Sequence, residues 1–194
     1  IPLYVHTPPK PEGVLDINSE KYILYLGRND GNKRVELLLE AFLQLTDTDY
    51  SLYVTLNPDD ITSALFKKVR DDRRIKWLGY VDEEQKEKLL QRADAVVFPT
   101  SWESFGYVAF EASQYAKPLL CSDLPVFREL LDSNGVIFFH NTIDSLTAAL
   151  REFLLLSEEK KRAMGMANYR RLSNFTFEKA KQQYQALFER LQTT

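Results

Sequence analysis

Two carboxylates stand eight positions apart in the stretch Thr100-Ser101-Trp102-Glu103-Ser104-Phe105-Gly106-Tyr107-Val108-Ala109-Phe110-Glu111-Ala112. Glu111 lies among Val108, Ala109, Phe110 and Ala112, the pattern of a helix packed against a sheet. A carboxylate buried there is costly without donors. The apolar helix supplies none, so the hydroxyl groups of a ligand are expected to. Glu103 falls in the polar turn before the helix, and Gly106 falls where the helix opens. Such an N-terminus offers unpaired N–H groups and a positive dipole end, which suit a phosphate. Upstream, Gly27-Arg28 and Lys33 place two cations between an apolar run and a helical one. Arginine forks onto a phosphate and lysine adds a point charge. Together they would neutralise a diphosphate, including the charge that grows on it as it leaves. Taken alone, the same two residues read equally as solvated loop charges. The chemistry this set suggests is a sugar at one end of a cleft and phosphate at the other.

The elements that must position these groups alternate along the chain. Tyr22 to Leu26, Ser51 to Thr55, Ile75 to Leu78, Ala95 to Phe98, Pro118 to Cys121 and Val136 to Phe139 are short apolar runs of strand character. Helical patterns separate them, over Val35 to Leu45, residues 60–70, the segment from the N-cap Asp82 to about Arg92, the stretch ending near Ala116, and Val126 to Leu131. Three further helices follow, over 142–156, 158–172 and 176–192, the last two separated near Asn174. Continuous apolar strands alternating with helices imply a parallel sheet covered on both faces. The expected fold is α/β, a Rossmann-like doubly wound parallel sheet of about six strands with extra C-terminal helices. In such sheets ligands bind at the carboxyl ends of the strands, where Gly27 to Lys33, Asn57, Gly79-Tyr80, Thr100 to Gly106 and Ser122-Asp123 all fall. Residues 1–20, with Pro2, Pro8, Pro9 and Pro11, read as an extended linker, and 21–194 as one domain.

Composition narrows the classes. The 194 residues are 44% hydrophobic, enough for a substantial core. A net charge of −3 gives no electrostatic case for nucleic-acid binding. No apolar run reaches the ~20 residues that span a bilayer, and no signal peptide is apparent at the start. The single Cys121 excludes an internal disulfide and fits a reducing compartment. No glycine-rich dinucleotide fingerprint or phosphate-binding GxxxxGK[ST] loop is present, and His6 and His140 have no metal-ligand spacing.

The motifs Gly27-Arg28-x-x-x-x-Lys33, Leu78-Gly79-Tyr80-Val81, Arg92 to Pro99 and Glu103-Ser104-Phe105-Gly106 through Glu111-Ala112 occur in one order. In that order the chain resembles the C-terminal, nucleotide-sugar-binding half of a GT-B-fold glycosyltransferase of family 4. The resemblance runs from about Tyr22 to Leu191, with the Glu-x₇-Glu block its most specific part. It implies a retaining transfer of a sugar from a UDP-, GDP- or ADP-linked donor to an acceptor hydroxyl, with no cofactor and no metal. Arg28 and Lys33 would hold and stabilise the leaving diphosphate, and Glu103 would lie beside the donor sugar hydroxyls. Phe105 and Gly106 would present backbone N–H groups, and Glu111 would accept from the ribose. Asn57 and Tyr80 would border the base or ribose, and Gly27, Ser104 and Tyr107 belong to the same donor-binding motifs. The acceptor-binding N-terminal half has no counterpart in this sequence, so the fragment is expected to bind donor and turn it over poorly. The resemblance also implies polysaccharide or glycolipid synthesis in the cytoplasm, or at the cytoplasmic face of a membrane in the full-length enzyme.

Two departures from the family pattern stand out. Ala116-Lys117 replaces a usual glycine at a helix end, where alanine is expected to end the helix differently. Leu124-Pro125 replaces a frequent glycine pair near the donor. Competing readings are a non-catalytic α/β domain that binds a nucleotide or phosphorylated ligand, and a fragment of a nucleotide-sugar epimerase with the same fold. Cys121 reads as core and His140 as rim, Trp102 as rim or core packing as much as ligand contact. Glu158 to Arg162 read as a solvated helix face. The aromatic tail Phe175, Phe177, Tyr184 and Phe188 reads as packing against a sheet or a missing domain.

Overall fold

The computed structural model describes residues 20–60 and 65–192. The proline-bearing segment read as a linker lies outside them, apart from Glu20. Six strands form one sheet: β1 Tyr22–Tyr25, β2 Ser51–Val54, β3 Ile75–Trp77, β4 Ala95–Phe98, β5 Leu119–Ser122 and β6 Val136–Phe139. Their order is β3-β2-β1-β4-β5-β6, and every neighbouring pair is parallel. β1 and β4 are buried at all four positions, as a strand covered on both faces requires.

Alternate side chains of each strand feed two separate cores. Ile23, Tyr25, Leu52, Val54, Ala95, Val97 and Leu120 point toward α1 Val35–Leu43, α2 Phe66–Arg70 and α6 Ile143–Leu155. Tyr22, Leu24, Val96, Phe98, Leu119 and Cys121 point toward α3 Glu83–Arg92, α4 Tyr107–Gln114 and α5 Pro125–Leu130. The sheet is therefore doubly wound. Strand order reverses between β1 and β4, where Ile23 pairs with Ala95 and Leu24 with Val96. Ligands bind beyond the carboxyl ends of the strands at such a switch point.

Two further helices close the chain, α7 Glu158–Arg171 and α8 Phe177–Gln192. Gly165 lets α7 approach α4 closely: a Cβ there would overlap the carbonyl oxygen of Ala116. From the same helix, the buried Asn168 donates through Nδ2 to Lys117 O at 2.9 Å and Gly135 O at 2.8 Å, tying α7 to the starts of β5 and β6. A third small core of Phe105, Phe110, Leu130, Leu172 and Phe175 joins α4, α5 and the turn before α8. Phe175 thus packs inside the domain, while Phe177, Tyr184 and Phe188 are exposed. No helix among the described residues is long and apolar enough to cross a membrane.

Three expectations change. The segment 60–70 is not one helix. A 3-10 turn covers Pro58–Asp60, α2 begins at Phe66, and 61–64 lie outside the described residues. Lys161 is not part of a solvated face, because its ammonium donates to Tyr50 Oη at 2.8 Å and to Glu158 at 2.9 Å and lies over the Tyr50 and Phe153 rings. A lysine stem packs well on apolar surface when its charge is satisfied this way. Ala116 does not end α4 differently from glycine. It takes the left-handed conformation itself, with φ of 51°. Ala116 N–H donates to Ser113 O at 3.0 Å and Lys117 N–H to Ala112 O at 3.2 Å, a complete Schellman motif.

Candidate functional site

The loop after β1 is shaped by its own side chains. Asp30 Oδ1 accepts from the N–H groups of Asn32 and Lys33 at 3.0 and 3.1 Å, an Asx turn that bends the chain toward α1. Tyr25 Oη donates to Arg28 O at 3.2 Å, and Gly27 N–H donates to Thr55 Oγ1 at 3.3 Å. The Asn32 carbonyl then accepts from Ser101 N–H at 2.8 Å and from Thr100 Oγ1 at 3.1 Å. These two bonds join the β1 loop to the β4 loop directly above the switch point. Their consequence is a contact between residues 70 apart in sequence: Lys33 Nζ donates to Glu103 Oε2 at 2.9 Å.

Glu103 is half-buried beside a crevice lined by Tyr25, Lys33, Phe98, Gly106 and Phe127. Burial alone would raise its carboxyl pKa. The hydrogen bond and charge of Lys33, joined by the N–H groups of Ser104 and Phe105, outweigh it and hold the group below its ordinary value. Phe105 anchors the turn from below, stacked on Phe110 with centroids 4.7 Å apart and set edge-on to Phe175. Truncating a buried phenylalanine costs about 3–5 kcal/mol, which sets the scale of that anchor.

Gly106 is the residue before α4 and lies in left-handed backbone, φ 84° and ψ 49°, with no side-chain cap on the helix. A Cβ there would also sit 2.6 Å from Phe127 Cε1. Glycine is therefore required twice, by φ and by the approach of α5. Pro125 starts α5 at its first turn and helps fix Phe127 against Gly106. The departure at Leu124-Pro125 thus sits next to the crevice.

Glu111 differs from its expected setting. It is only partly buried, and a protein donor reaches it: Lys86 Nζ of α3 lies 2.8 Å from Glu111 Oε1 and 2.8 Å from Glu83 Oε2. The expectation that only a ligand could satisfy this carboxylate is therefore corrected. α3 and α4 share one face of the sheet, so a lysine near the start of one reaches a carboxylate one turn into the other. Burial would lower the Lys86 pKa, but its bonds to Glu111 and Glu83 raise it. The neighbouring Tyr115 is pushed up to about 12, first by burial and then by a hydrogen bond to Glu87, with the Glu111 charge adding.

The remaining expected residues spread along the same rim. Arg28 shares the loop with Lys33 but is exposed and does not line the crevice. Gly79 has φ of 66°, and a Cβ on it would lie 2.7 Å from Asn57 Oδ1, so the loops after β2 and β3 touch. Tyr80 is 90% exposed, two strands away from β1. Trp102 and Tyr107 are exposed, and Ser104 donates its N–H to Glu103 at 3.0 Å. His140 is exposed and Cys121 fully buried.

Sequence reasoning puts Asn32 and Ser122 on the rim without assigning them its support, and it does not single out Asn141. Asn141, just past β6, donates through Nδ2 to Thr100 O at 3.1 Å and accepts from Ser122 Oγ at 2.9 Å. The same Ser122 hydroxyl lies 3.2 Å from Phe98 O. This chain runs along the carboxyl ends of β4, β5 and β6 toward Asn32. The available signal was position, since Asn32, Ser122 and Asn141 each directly follow or end a strand or loop on that rim. Lys86 had no such signal.

Fold and site together define a doubly wound α/β domain whose crevice at the switch point gathers a lysine, a carboxylate and an uncapped helix N-terminus. The family model for glycosyl transferases group 1 matches residues 11–171, and the chain belongs to that family. It is 28% identical over 139 residues to O-antigen chain mannosyltransferase B of Escherichia coli, covering 69% of this chain and 36% of that enzyme. Sucrose-phosphate synthase from Thermosynechococcus elongatus superposes with a TM-score of 0.74 at 22% identity, over 90% of this chain and 46% of that one. Anabaena Alr3699/HepE, solved in complex with UDP and glucose, superposes with a TM-score of 0.72 at 16% identity, over 93% and 50%. The chain thus spans 36% of the curated mannosyltransferase and about half of these solved structures. The fold is that of one half of a GT-B glycosyltransferase.

Proposed function

We propose that this domain is the donor-binding half of a retaining glycosyltransferase. It would hold a nucleoside-diphosphate sugar while an acceptor hydroxyl, bound mainly by a separate N-terminal domain, attacks the anomeric carbon from the face the diphosphate leaves. The bond between that carbon and the diphosphate oxygen breaks with its electron pair on the diphosphate. The acceptor oxygen forms the new bond, and its proton leaves with the diphosphate.

The observation that carries this reading is the Lys33–Glu103 pair, 2.9 Å apart in the crevice beside Gly106. Lys33 would turn to the diphosphate and Glu103 to the sugar hydroxyls. Arg28 would add charge from the loop above, and the start of α4 would receive phosphate oxygens. Most of the catalytic effect would be positioning and electrostatic stabilisation of the leaving group. Glu111 would accept from the ribose, with Asn57 and Tyr80 toward the base. The relatives act on different sugars, so the domain's fold leaves the sugar open.

Calorimetric titration with UDP, GDP and ADP tests the reading, with Lys33→Ala and Glu111→Ala alongside. Binding of at least one diphosphate, weakened ten-fold or more by Lys33→Ala, is expected on the scale of a charged hydrogen bond, about 1.5–3 kcal/mol. Folded protein that binds none of the three would overturn it. Sugar transfer is expected only when the N-terminal half is supplied.

A further inference from the structure

The Lys86–Glu111 bond raises a question that the donor-binding reading does not answer. A carboxylate meant for ribose hydroxyls already has a partner, and that partner comes from another helix. Lys86 Nζ lies 2.8 Å from Glu111 Oε1, and its second bond, also 2.8 Å, goes to Glu83 on its own helix. Both partners of the inter-helix pair are shielded, with 22% of the Lys86 side chain and 34% of the Glu111 side chain exposed, whereas Glu83 is 90% exposed. The geometry is that of a strut. Glu83 holds the ammonium from the solvent side, and the ammonium holds one oxygen of Glu111.

We infer that Lys86 is the positioning residue for Glu111: it fixes Oε1 so that Oε2 faces the ribose hydroxyls of a bound nucleotide and confers preference for ribose over deoxyribose. The inference rests on the donor-binding reading above. A glutamate side chain has three rotatable bonds, and ordering it at the moment of binding costs affinity. A charged hydrogen bond from an already packed helix orders it beforehand. Lys86 supplies that bond from α3. Lys86 lies between Glu83 of its own helix and Glu111 of α4, while the nearby Tyr115 hydroxyl is bonded to Glu87. Lys86 thus bonds two carboxylates, and Glu111 is the shielded one of the two.

A merely structural Lys86 would join α3 to α4 and alter stability without altering which sugar of the nucleotide is preferred. The test therefore reads preference. The full chain is titrated with UDP, GDP and ADP and with dUDP, dGDP and dADP, as wild type, Lys86→Met, Lys86→Arg, Glu111→Ala and the Lys86→Met/Glu111→Ala double variant. Wild type should favour the ribonucleotide by ~10-fold or more, the order expected for a hydrogen bond to a charged group. Lys86→Met should reduce that preference to ~2- to 3-fold, with Lys86→Arg retaining most of it because the charge remains. Glu111→Ala should abolish preference, and adding Lys86→Met to it should change nothing more.

If wild type binds none of the diphosphates, the donor-binding reading falls and this inference with it. If wild type prefers ribose and Lys86→Met keeps the full preference, the inference alone falls. It falls equally if wild type binds ribo- and deoxyribonucleotides alike, or if Lys86→Met weakens binding further in the Glu111→Ala background. Should Lys86→Met not fold, Lys86→Gln removes the charge and keeps a donor of shorter reach, and the same ratio decides.

Discussion

Glu103→Gln should tighten the binding of a bare nucleoside diphosphate while impairing sugar transfer. In the free domain Lys33 is committed to Glu103 at 2.9 Å, and a diphosphate that recruits Lys33 must first break that bond. The side chains are 32% and 18% exposed, so the pair is neither a surface pair nor a fully buried one. Exposed pairs contribute about 0–1 kcal/mol and charged hydrogen bonds about 1.5–3 kcal/mol, and solvent screening at this exposure places the pair at about 1 kcal/mol. Glutamine keeps the shape and can accept a hydrogen bond, but it lacks the charge. It also removes a negative group from beside the incoming diphosphate, an effect of the same sign. Affinity for the diphosphate should rise about 2- to 10-fold.

Calorimetry at low and at physiological ionic strength measures this, with Lys33→Ala as the opposing variant. The gain should shrink as salt rises, because the released interaction is partly screened. Stability supplies a second reading. The Glu103 carboxyl is held below its ordinary 4.5, so the native state binds fewer protons than the unfolded chain around that pH. The stabilisation is present above 4.5 and is lost as pH falls through the folded value. Glu103→Gln should thus be less stable than wild type at neutral pH, with the gap closing in acid. Unchanged or weaker diphosphate binding in Glu103→Gln, in protein where Lys33→Ala weakens it, would refute the idea that the pair competes with the ligand.

Gly106→Ala should cost about 2–5 kcal/mol, from left-handed backbone at about 1–2 and overpacking against Phe127 at about 1–3. Denaturant unfolding measures it, and adding Phe127→Leu should return part of the loss. Ala116→Gly should stabilise by about 0.5–1 kcal/mol, since glycine relieves the positive φ and gives back part of that gain as unfolded-chain entropy. A higher midpoint in urea checks this, and a lower one would contradict the Schellman geometry. Lys117 has its pKa lowered to about 8, chiefly by burial and against the pull of Asp94. From there to the ordinary 10.5 the unfolded chain binds more protons than the native one, so this group's contribution to stability rises with pH. Wild type should therefore gain on Lys117→Met between about pH 7.5 and pH 9.5 in paired urea titrations.

The sheet was legible because its strands are short apolar runs with nothing else to do. Ala95-Val96-Val97-Phe98 and Val136-Ile137-Phe138-Phe139 appear as strands with the bounds their composition suggests. The capping box at Asp82 and Gln85 was equally local, and both of its hydrogen bonds are present. What sequence could not give was pairing at a distance. Lys86 and Glu111 meet because α3 and α4 lie on the same face, a fact of topology, and nothing in either segment marks the other. Lys161 differs from its expected solvated setting for the same reason, since its partner Tyr50 stands just before β2, 111 residues away. Ala116 departs from expectation for another reason. Propensity disfavours alanine at positive φ, and the tight approach of Gly165 to its carbonyl is the tertiary term that sequence did not display.

The Lys33–Glu103 pair in the crevice and the Lys86–Glu111 pair between α3 and α4 would have a joint consequence for how tightly a donor binds. Neither Lys33 nor Glu111 waits in solvent for its ligand, because each is held by an opposite charge, Glu103 and Lys86 respectively. A ligand that engages them trades one set of charged hydrogen bonds for another, so the net gain is a difference and not a sum. The two trades are unequal. On the donor-binding proposal Lys33 would leave Glu103 for the phosphate, whereas Glu111 would keep Lys86 on one oxygen and offer the other. Binding of the diphosphate end should therefore be modest and sensitive to salt. The ribose end should be preorganised and discriminating. A whole nucleotide sugar has a further advantage over its diphosphate, because the Glu103 released by Lys33 finds hydroxyl donors on the sugar. Competition between the two ligands should show this as tighter binding of the sugar-bearing one in wild type, and the advantage should shrink in Glu103→Ala.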